Sequence, residues 1–189
     1  MQMILASASP RRKELLSLLG IPFVIEAADI DETMDPSLPA AQEVARVSRM
    51  KALAVSRSQE DVVIAADTIV VCDNQVLGKP KDREQAIRML HLLSGRDHQV
   101  MTGCTVLHGE QSESFTEITD LHFRPLTDRE IIKYVESGEP MDKAGAYGIQ
   151  GGAALFCEKL SGDYYNVVGL PLCRLWKTLL KLVPEWMEA

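Results

Sequence analysis

The strongest constraint in this sequence is the run from Asp61 to Cys72, which carries one carboxylate inside a long apolar stretch rich in β-branched residues. Such side chains favour extended backbone, so the run predicts a long strand. Moving the Asp67 carboxylate out of water without a partner costs on the order of several kcal/mol. Asp67 is therefore predicted to be a catalytic or metal-binding carboxylate at a cleft, where it holds a cation or a basic side chain. The alternatives are a purely architectural pairing with a buried arginine, or a strand that reaches the surface at this point.

Strands and helices alternate along the first half of the chain, and a hairpin interrupts that order in the second half. Predicted strands lie at 3–6, 22–27, 61–72, 75–78 and 154–160, and a β-hairpin joins 98–108 to 114–125. Predicted helices lie at about 10–19, 40–58, 83–93, 128–137 and 171–183, three of them capped by Ser9, Asp82 and Thr127. This order predicts an α/β fold whose mixed sheet, flanked by helices, is strongly bent into two lobes. The lobes form one domain over 1–189, with boundaries that the sequence does not assign.

The charge balance excludes one class of partner. Twenty lysines and arginines against 27 aspartates and glutamates give a net charge of −7. An acidic surface repels nucleic-acid phosphates, and aromatic residues make up only 5% of the chain, too few for a base-stacking platform. Stable nucleic-acid binding is not expected. Any phosphate that the chain handles must meet positive charge gathered locally.

Other sequence features set the expected compartment. No segment approaches the ~20 apolar residues of a membrane span, and the first apolar stretch is too short for a secretory leader. No membrane association is expected, and the cytoplasm is the expected location. The four cysteines lack zinc-site spacing, and Cys72, Cys157 and Cys173 lie in apolar runs, which predicts reduced, buried thiols.

The segment from Ser7 to Arg12 combines groups that bind anions. Ser9 is a predicted N-cap and Pro10 suits the first helical position, so Arg11 and Arg12 fall in the first turn. Positive charge there opposes the helix dipole at a cost of up to ~1 kcal/mol, unless an anion lies between the helix end and the guanidinium groups. Hydroxyls, free amides and guanidinium groups together predict a phosphate site. The alternative is that both arginines are simply solvated.

Three further segments carry weaker signals. The acidic loop from Asp29 to Asp35 could supply a second oxygen ligand for a hard cation, although most acidic clusters are merely solvated. Lys51 and Lys79 could hold an anion, with Pro80 constraining the second, although such lysines usually lie in water. The glycine-rich segment at 142–152 would let the backbone approach a ligand, and the Gln150 amide could contact a base edge.

Taken in order, these segments resemble the Maf-like nucleoside triphosphate pyrophosphatases, also called septum-formation inhibitor proteins. The matching motifs are ILASASPRRKELL, DETM, the KA that follows Met50, AADTIVV, LGKP, LSGRDHQVMTG, DKAGAYGIQG and GDYYNVVGLP. One such motif is weak, but the ordered set spans nearly the whole chain and is highly specific. The resemblance implies a two-lobed fold related to inosine triphosphate pyrophosphatases, with a cleft between the lobes.

The resemblance also implies an activity. The chain would hydrolyse a nucleoside triphosphate to the monophosphate and pyrophosphate, as a cytoplasmic enzyme that cleans nucleotide pools, with a divalent cation (magnesium, manganese or cobalt). It implies phosphate binding by Ser7, Arg11, Arg12, Lys51 and Lys79, metal binding by Glu32 and Asp67, and proton acceptance by Asp67. Arg12, Thr68 and Gln150 resemble the branch that acts on dTTP and UTP, where modified pyrimidine triphosphates could also be substrates.

Two further expectations come from the family. A homodimer is expected at family level. The septum-formation phenotype of this family motivates an alternative function. In that alternative, the chain is a nucleotide-binding regulator of septum formation that acts through a protein partner. That alternative predicts that Asp67→Asn retains any effect on cell division.

Overall fold

The computed structural model describes residues 1–35, 37–55 and 57–187. Its strands are β1 Met3–Leu5, β2 Phe23–Ile25, β3 Val62–Cys72, β4 Gln75–Leu77, β5 Asp97–His108, β6 Gln111–Phe123 and β7 Cys157–Ser161. Its α-helices are α1 Pro10–Ser17, α2 Ala40–Ala54, α3 Arg83–Leu93, α4 Asp128–Glu136, α5 Tyr164–Val168 and α6 Leu172–Leu182. Short 3₁₀ helices cover Glu139–Asp142, Ala144–Ala146, Gly152–Leu155 and Pro184–Met187.

The seven strands of the described residues belong to one mixed sheet. The strand order is β2-β1-β3-β5-β6-β7, and β4 pairs with β3. β1 runs parallel to both β2 and β3, with Ile4 opposite Val24 and Val63, whereas β4 and β7 run antiparallel to β3 and β6. The predicted α/β class and mixed sheet are therefore confirmed, while the strong bend stays a prediction.

The chain divides into two compact units. The first comprises Met1–Asp67, Thr102–Glu117 and Gly169–Ala189, and the second comprises Thr68–Met101 and Ile118–Val168. An apolar core in the first unit contains Ile4, Ala6, Ala52, Val55, Val63, Ala65 and Leu107. A further apolar core lies in the second unit and contains, among others, Leu90, Phe123, Ile131, Tyr134 and Tyr147.

The predicted helix starts are confirmed by their capping contacts. The Ser9 and Asp82 side chains accept hydrogen bonds from the backbone N–H groups of Arg12 and Gln85. Thr127 and Glu130 form a reciprocal capping box at the start of α4. Each cap satisfies backbone donors that have no partner within the helix, so the local sequence decides where these helices begin.

Several predicted boundaries are wrong. The hairpin loop has two residues instead of the five between the predicted strands, because Gly109 adopts a left-handed φ of 58° that suits a tight turn, so β6 already begins at Gln111. Residues 152–155 form a 3₁₀ helix in which the Ala154 N–H donates to Gly151, so β7 begins only at Cys157. Helix α2 ends at Ala54, before the predicted end near Ser58, and Ser56 lies outside the described residues.

The structure also corrects the expected cysteine burial and adds an unpredicted helix. Cys72 is buried as predicted, but Cys157 is half-buried and Cys173 is exposed. Cys173 lies on α6 between the buried Leu172 and Leu175, on the face turned to solvent. Helix α5 had no predicted counterpart. Within the described ranges, no helix is both long and apolar enough to cross a membrane.

Candidate active site

Two carboxylates of the first unit converge on one lysine. The Lys51 Nζ, near the end of α2, lies 2.7 Å from Asp67 Oδ1 and 3.0 Å from Glu32 Oε2. The Lys51 side chain is 9% exposed and that of Asp67 15%, whereas that of Glu32 is 53% exposed. The basic partner expected for a carboxylate in strand β3 is therefore a lysine, and a more exposed glutamate from the acidic loop shares it.

The segment between β1 and α1 gathers hydroxyl and guanidinium groups. The buried Ser7 follows β1, and its Oγ accepts hydrogen bonds from the Ser9 backbone N–H at 3.3 Å and from the Arg12 guanidinium at 3.2 Å. The Arg12 Nε donates to the Gly169 carbonyl at 2.9 Å. The first turn of α1 contains Arg11 and Arg12 and no acidic residue. This helix end therefore presents the positive charge that the sequence predicts for an anion site.

Electrostatics connects Arg12 with the carboxylates. Burial lowers the pKa of the Arg12 guanidinium, while the negative charges of Asp67 and Glu32 oppose that shift and the positive charge of Arg11 adds to it. A guanidinium stays protonated in spite of such shifts. Arg12 thus contributes a fixed positive charge within the electrostatic range of both carboxylates.

A salt bridge between a buried glutamate and a partly exposed arginine positions the loop that carries Glu32. The Glu43 side chain on α2 is 1% exposed, accepts a hydrogen bond from the Asp35 N–H at 2.6 Å, and bonds the Arg46 guanidinium through both carboxylate oxygens. Arg46 in turn donates to the Thr33 carbonyl at 3.2 Å. The Glu43–Arg46 pair therefore fixes the backbone on the C-terminal side of Glu32.

The remaining predicted residues belong to the second unit. Thr68 directly follows Asp67 in β3 and is half-buried, whereas Lys79 and Gln150 are exposed. The Gly78 carbonyl, next to Lys79, accepts a hydrogen bond from the Gly145 N–H at 3.1 Å, which ties the lysine's turn to the glycine-rich segment. The grouping of Lys79 and Gln150 with the residues of the first unit stays a prediction.

A comparison with known protein families shows the family to which the chain belongs. The sequence model of the family described as Maf-like protein matches residues 2–182. The chain belongs to the Maf-like protein family.

Curated relatives align with this Maf-like chain over most of its length. A dTTP/UTP pyrophosphatase of Symbiobacterium thermophilum is 54% identical, covering 92% of this chain and 90% of its own. A dTTP/UTP pyrophosphatase of Bacillus pumilus is 50% identical, and the alignment covers 94% of this chain and 95% of the relative.

A solved structure bears on the fold alone. The structure of a HAM1 protein from Coxiella burnetii matches with a TM-score of 0.52 at 14% identity, covering 96% of this chain and 99% of that one. The Maf-like chain shares this fold.

Sequence reasoning missed the residues that hold the Maf-like site in place. Glu43 and Arg46 are three residues apart on α2, a spacing that predicts an ion pair but not its burial or its contact with the acidic loop. In the second unit, Tyr134 and Glu139 contact the loop that bears Gln150. Apart from the spacing of Glu43 and Arg46, nothing in the sequence pattern marks these four residues, because their importance depends on which backbone groups they meet.

The donor set of the Maf-like site suits one kind of cation. Across the described ranges, no cluster of three or more histidine, cysteine or acidic side chains could hold a metal ion. Asp67 and Glu32, however, already share one cationic group, the Lys51 ammonium. Magnesium is usually bound through one or two carboxylates plus substrate phosphates, so the two residues fit that mode and not an all-protein cage.

Proposed function

We propose that this chain is a nucleoside triphosphate pyrophosphatase that hydrolyses dTTP and UTP to the monophosphate and pyrophosphate. The observation that carries the proposal is the first-unit cluster, in which Lys51 joins Asp67 and Glu32 while Arg12 and Ser7 are hydrogen-bonded beside the start of α1. The two relatives of about 50% identity, both named dTTP/UTP pyrophosphatases, support the choice of substrate.

The positive residues of the site have a clear task. A triphosphate brings about four negative charges to a protein whose own net charge is −7, so local cations must offset the repulsion. Ser7, Arg11, Arg12, Lys51 and Lys79 hold the phosphates in this proposal, and Arg12 supplies a planar group that can contact two phosphate oxygens at once. They also stabilise the charge that develops on the leaving pyrophosphate.

Glu32 and Asp67 would hold a divalent cation, magnesium, manganese or cobalt, which when bound neutralises phosphate charge and polarises the phosphoryl group. Asp67 also accepts the proton of the attacking water. Lys51 contacts Oδ1 of Asp67 and orients the carboxylate, so we assign proton acceptance to Oδ2. Thr68 and Gln150 contact the pyrimidine base.

Assays of the purified protein test this function. With UTP or dTTP and magnesium, the wild-type protein should release pyrophosphate and monophosphate, and a preparation no faster than buffer would overturn the proposal. Asp67→Asn should lower kcat by about 10²- to 10⁴-fold, the usual contribution of a positioned general base. Asp73→Asn is the matched control, because Asp73 follows β3 and is exposed in a turn. Equal activity in Asp67→Asn would refute the assigned role.

Two finer points belong to the same proposal. The protein acts in the cytoplasm on the nucleotide pool, and it does so as a homodimer. Light scattering at micromolar concentration tests the dimer, and a monomer mass would remove it from the proposal.

A further inference from the structure

The side chain of Gln150 is exposed on a tight turn of the second unit. The Gly151 N–H donates to the Gly148 carbonyl at 3.1 Å, which leaves Ile149 and Gln150 at the two central positions. Everything that fixes Gly148 and Gly151 therefore fixes where the Gln150 amide can reach.

Tyr134 and Glu139 hold both ends of this turn through one chain of hydrogen bonds. The Tyr134 hydroxyl accepts from the Gly148 N–H at 3.0 Å and donates to Glu139 Oε1 at 2.9 Å. The other carboxylate oxygen, Oε2, accepts from the Gly152 N–H at 3.0 Å. The Tyr134 hydroxyl and the Glu139 carboxylate thus connect Gly148 to Gly152, on either side of Ile149 and Gln150.

At Gly151 the backbone lies so close to Glu139 that an added Cβ would have to displace the carboxylate. A Cβ at Gly151 would overlap the Glu139 carboxylate, and one at Gly152 would lie 3.2 Å from the Tyr134 ring. The turn is therefore packed directly onto the two residues that bond it.

The two anchoring residues are themselves held firmly. Tyr134 is buried and packs edge-on against Phe156, with ring centroids 5.1 Å apart. Burial raises the pKa of the Tyr134 hydroxyl, so the group stays protonated and keeps the proton that it donates to Glu139. The Glu139 N–H donates to Ser137 Oγ at 3.2 Å, and Lys143 Nζ donates to the Glu139 carbonyl at 2.6 Å.

We propose that Tyr134 and Glu139 are positioning residues that set base selectivity by holding the Gln150 turn in one place. This inference rests on the proposed function, in which Gln150 contacts the base. A uracil or thymine edge offers an oxygen acceptor beside an N–H donor, and a primary amide matches both only from a defined position. Selectivity built on paired polar groups is large when the geometry is fixed and falls when the supporting groups are loosened.

The test measures kcat/KM for UTP, CTP and GTP in wild type, Tyr134→Phe, Glu139→Gln and Gln150→Ala. We expect Tyr134→Phe and Glu139→Gln each to lower the UTP preference about tenfold, the effect of one hydrogen bond, mainly through KM. Glu136→Gln is the matched control, because Glu136 is exposed on the same unit and its carboxylate bonds the exposed Arg83. Its preference should equal that of wild type.

A second set of variants separates positioning from a general structural effect. Because Tyr134 and Glu139 form one hydrogen-bonded chain, their double variant should lose little more selectivity than either single variant. In a Gln150→Ala background, Tyr134→Phe should leave the remaining selectivity unchanged. An unchanged preference in the single variants, or a further loss in the Gln150→Ala background, would overturn the inference. Failure of wild type to hydrolyse UTP would instead overturn the proposed function.

Discussion

Two loops carry candidate site residues, one in each unit, and they are held in different ways. The acidic loop of the first unit, residues 29–35, is tied down from outside by the Glu43–Arg46 pair of α2, and its own side chains are mostly exposed. The glycine-rich loop of the second unit, residues 138–152, contains one of its own anchors, Glu139, and packs backbone onto a buried tyrosine.

The difference shows what each loop can tolerate. A loop held by charge-assisted hydrogen bonds depends on the anchoring side chains. Its own sequence matters little, apart from the candidate metal ligand Glu32. A loop held by close backbone approach depends on glycine at the point of contact, because a Cβ at Gly151 would displace the anchoring carboxylate from its hydrogen bonds. The first arrangement suits an exposed carboxylate such as Glu32, and the second suits an amide that must stay in one position.

The largest expected effect comes from removing the anchor of the acidic loop. Glu43→Ala deletes a buried carboxylate that bonds both Arg46 and the Asp35 N–H, so the free energy of unfolding should fall by about 2–4 kcal/mol. Urea denaturation measures this change. Glu14→Ala, an exposed position on α1, is the control and should change stability by less than about 0.5 kcal/mol. A loss below about 1 kcal/mol for Glu43→Ala would show that the acidic loop is held by other contacts.

Next in size is the effect of adding one carbon to the glycine-rich loop. Gly151→Ala places a methyl group where the Glu139 carboxylate lies, so the carboxylate must leave its hydrogen bonds to Tyr134 and Gly152, which should cost about 1–3 kcal/mol. The control is Gly78→Ala in the same unit, where an added Cβ meets nothing within 4 Å. Thermal unfolding of the two variants compares them directly. Equal melting temperatures would contradict the close packing described for this loop.

The anchoring residues Glu43 and Tyr134 should lose their contributions to the free energy of unfolding at opposite ends of the pH range. Hydrogen bonds from Arg46 lower the pKa of Glu43, so its contribution to stability is present above the usual glutamate value of about 4.3 and is lost as the pH falls through the lowered pKa. Burial raises the pKa of Tyr134, so its contribution is present below about pH 10 and declines as the pH rises above that value. Unfolding measured across pH should show the acid loss reduced in Glu43→Gln and the alkaline loss reduced in Tyr134→Phe. Profiles parallel to wild type would refute both assignments.

The smallest effect is expected at Glu130, which lies outside both loops and serves as a control for Glu43. Hydrogen bonds from Arg124 and Thr127 lower the pKa of Glu130 to about 2. Its contribution is therefore present above about pH 4.3 and lost as the pH falls to about 2. Because more than a third of each side chain is exposed to solvent (35% for Arg124 and 37% for Glu130), Glu130→Gln should only slightly flatten the acid branch of the stability curve. A change as large as that of Glu43→Gln would show that burial is not what separates the two glutamates.

Much of the fold could be predicted because its signals are local. The capping contacts of Ser9 and Thr127 lie within three residues of the groups that they bond, so the sequence pattern reveals them directly. The same holds for the two residues between the predicted strands 61–72 and 75–78, Asp73 and Asn74, which both adopt positive φ in the turn between β3 and β4. Boundaries failed where one residue decides the outcome, as at Gly109, whose left-handed conformation shortened the hairpin loop.

The candidate site likewise has features that the sequence predicts and features that only the tertiary structure decides. Sequence alone predicted that the carboxylate of Asp67, in an apolar strand, holds a basic or cationic partner, since burying an unpaired charge is costly. Tertiary structure decided that this partner is Lys51, sixteen residues away on a helix, and that Glu32 shares it. It also decided that Glu43 and Glu139 act as anchors and not as solvated surface charges. Hydrogen bonds of this kind require two groups within about 3 Å, and only the folded chain brings together residues that are distant in sequence.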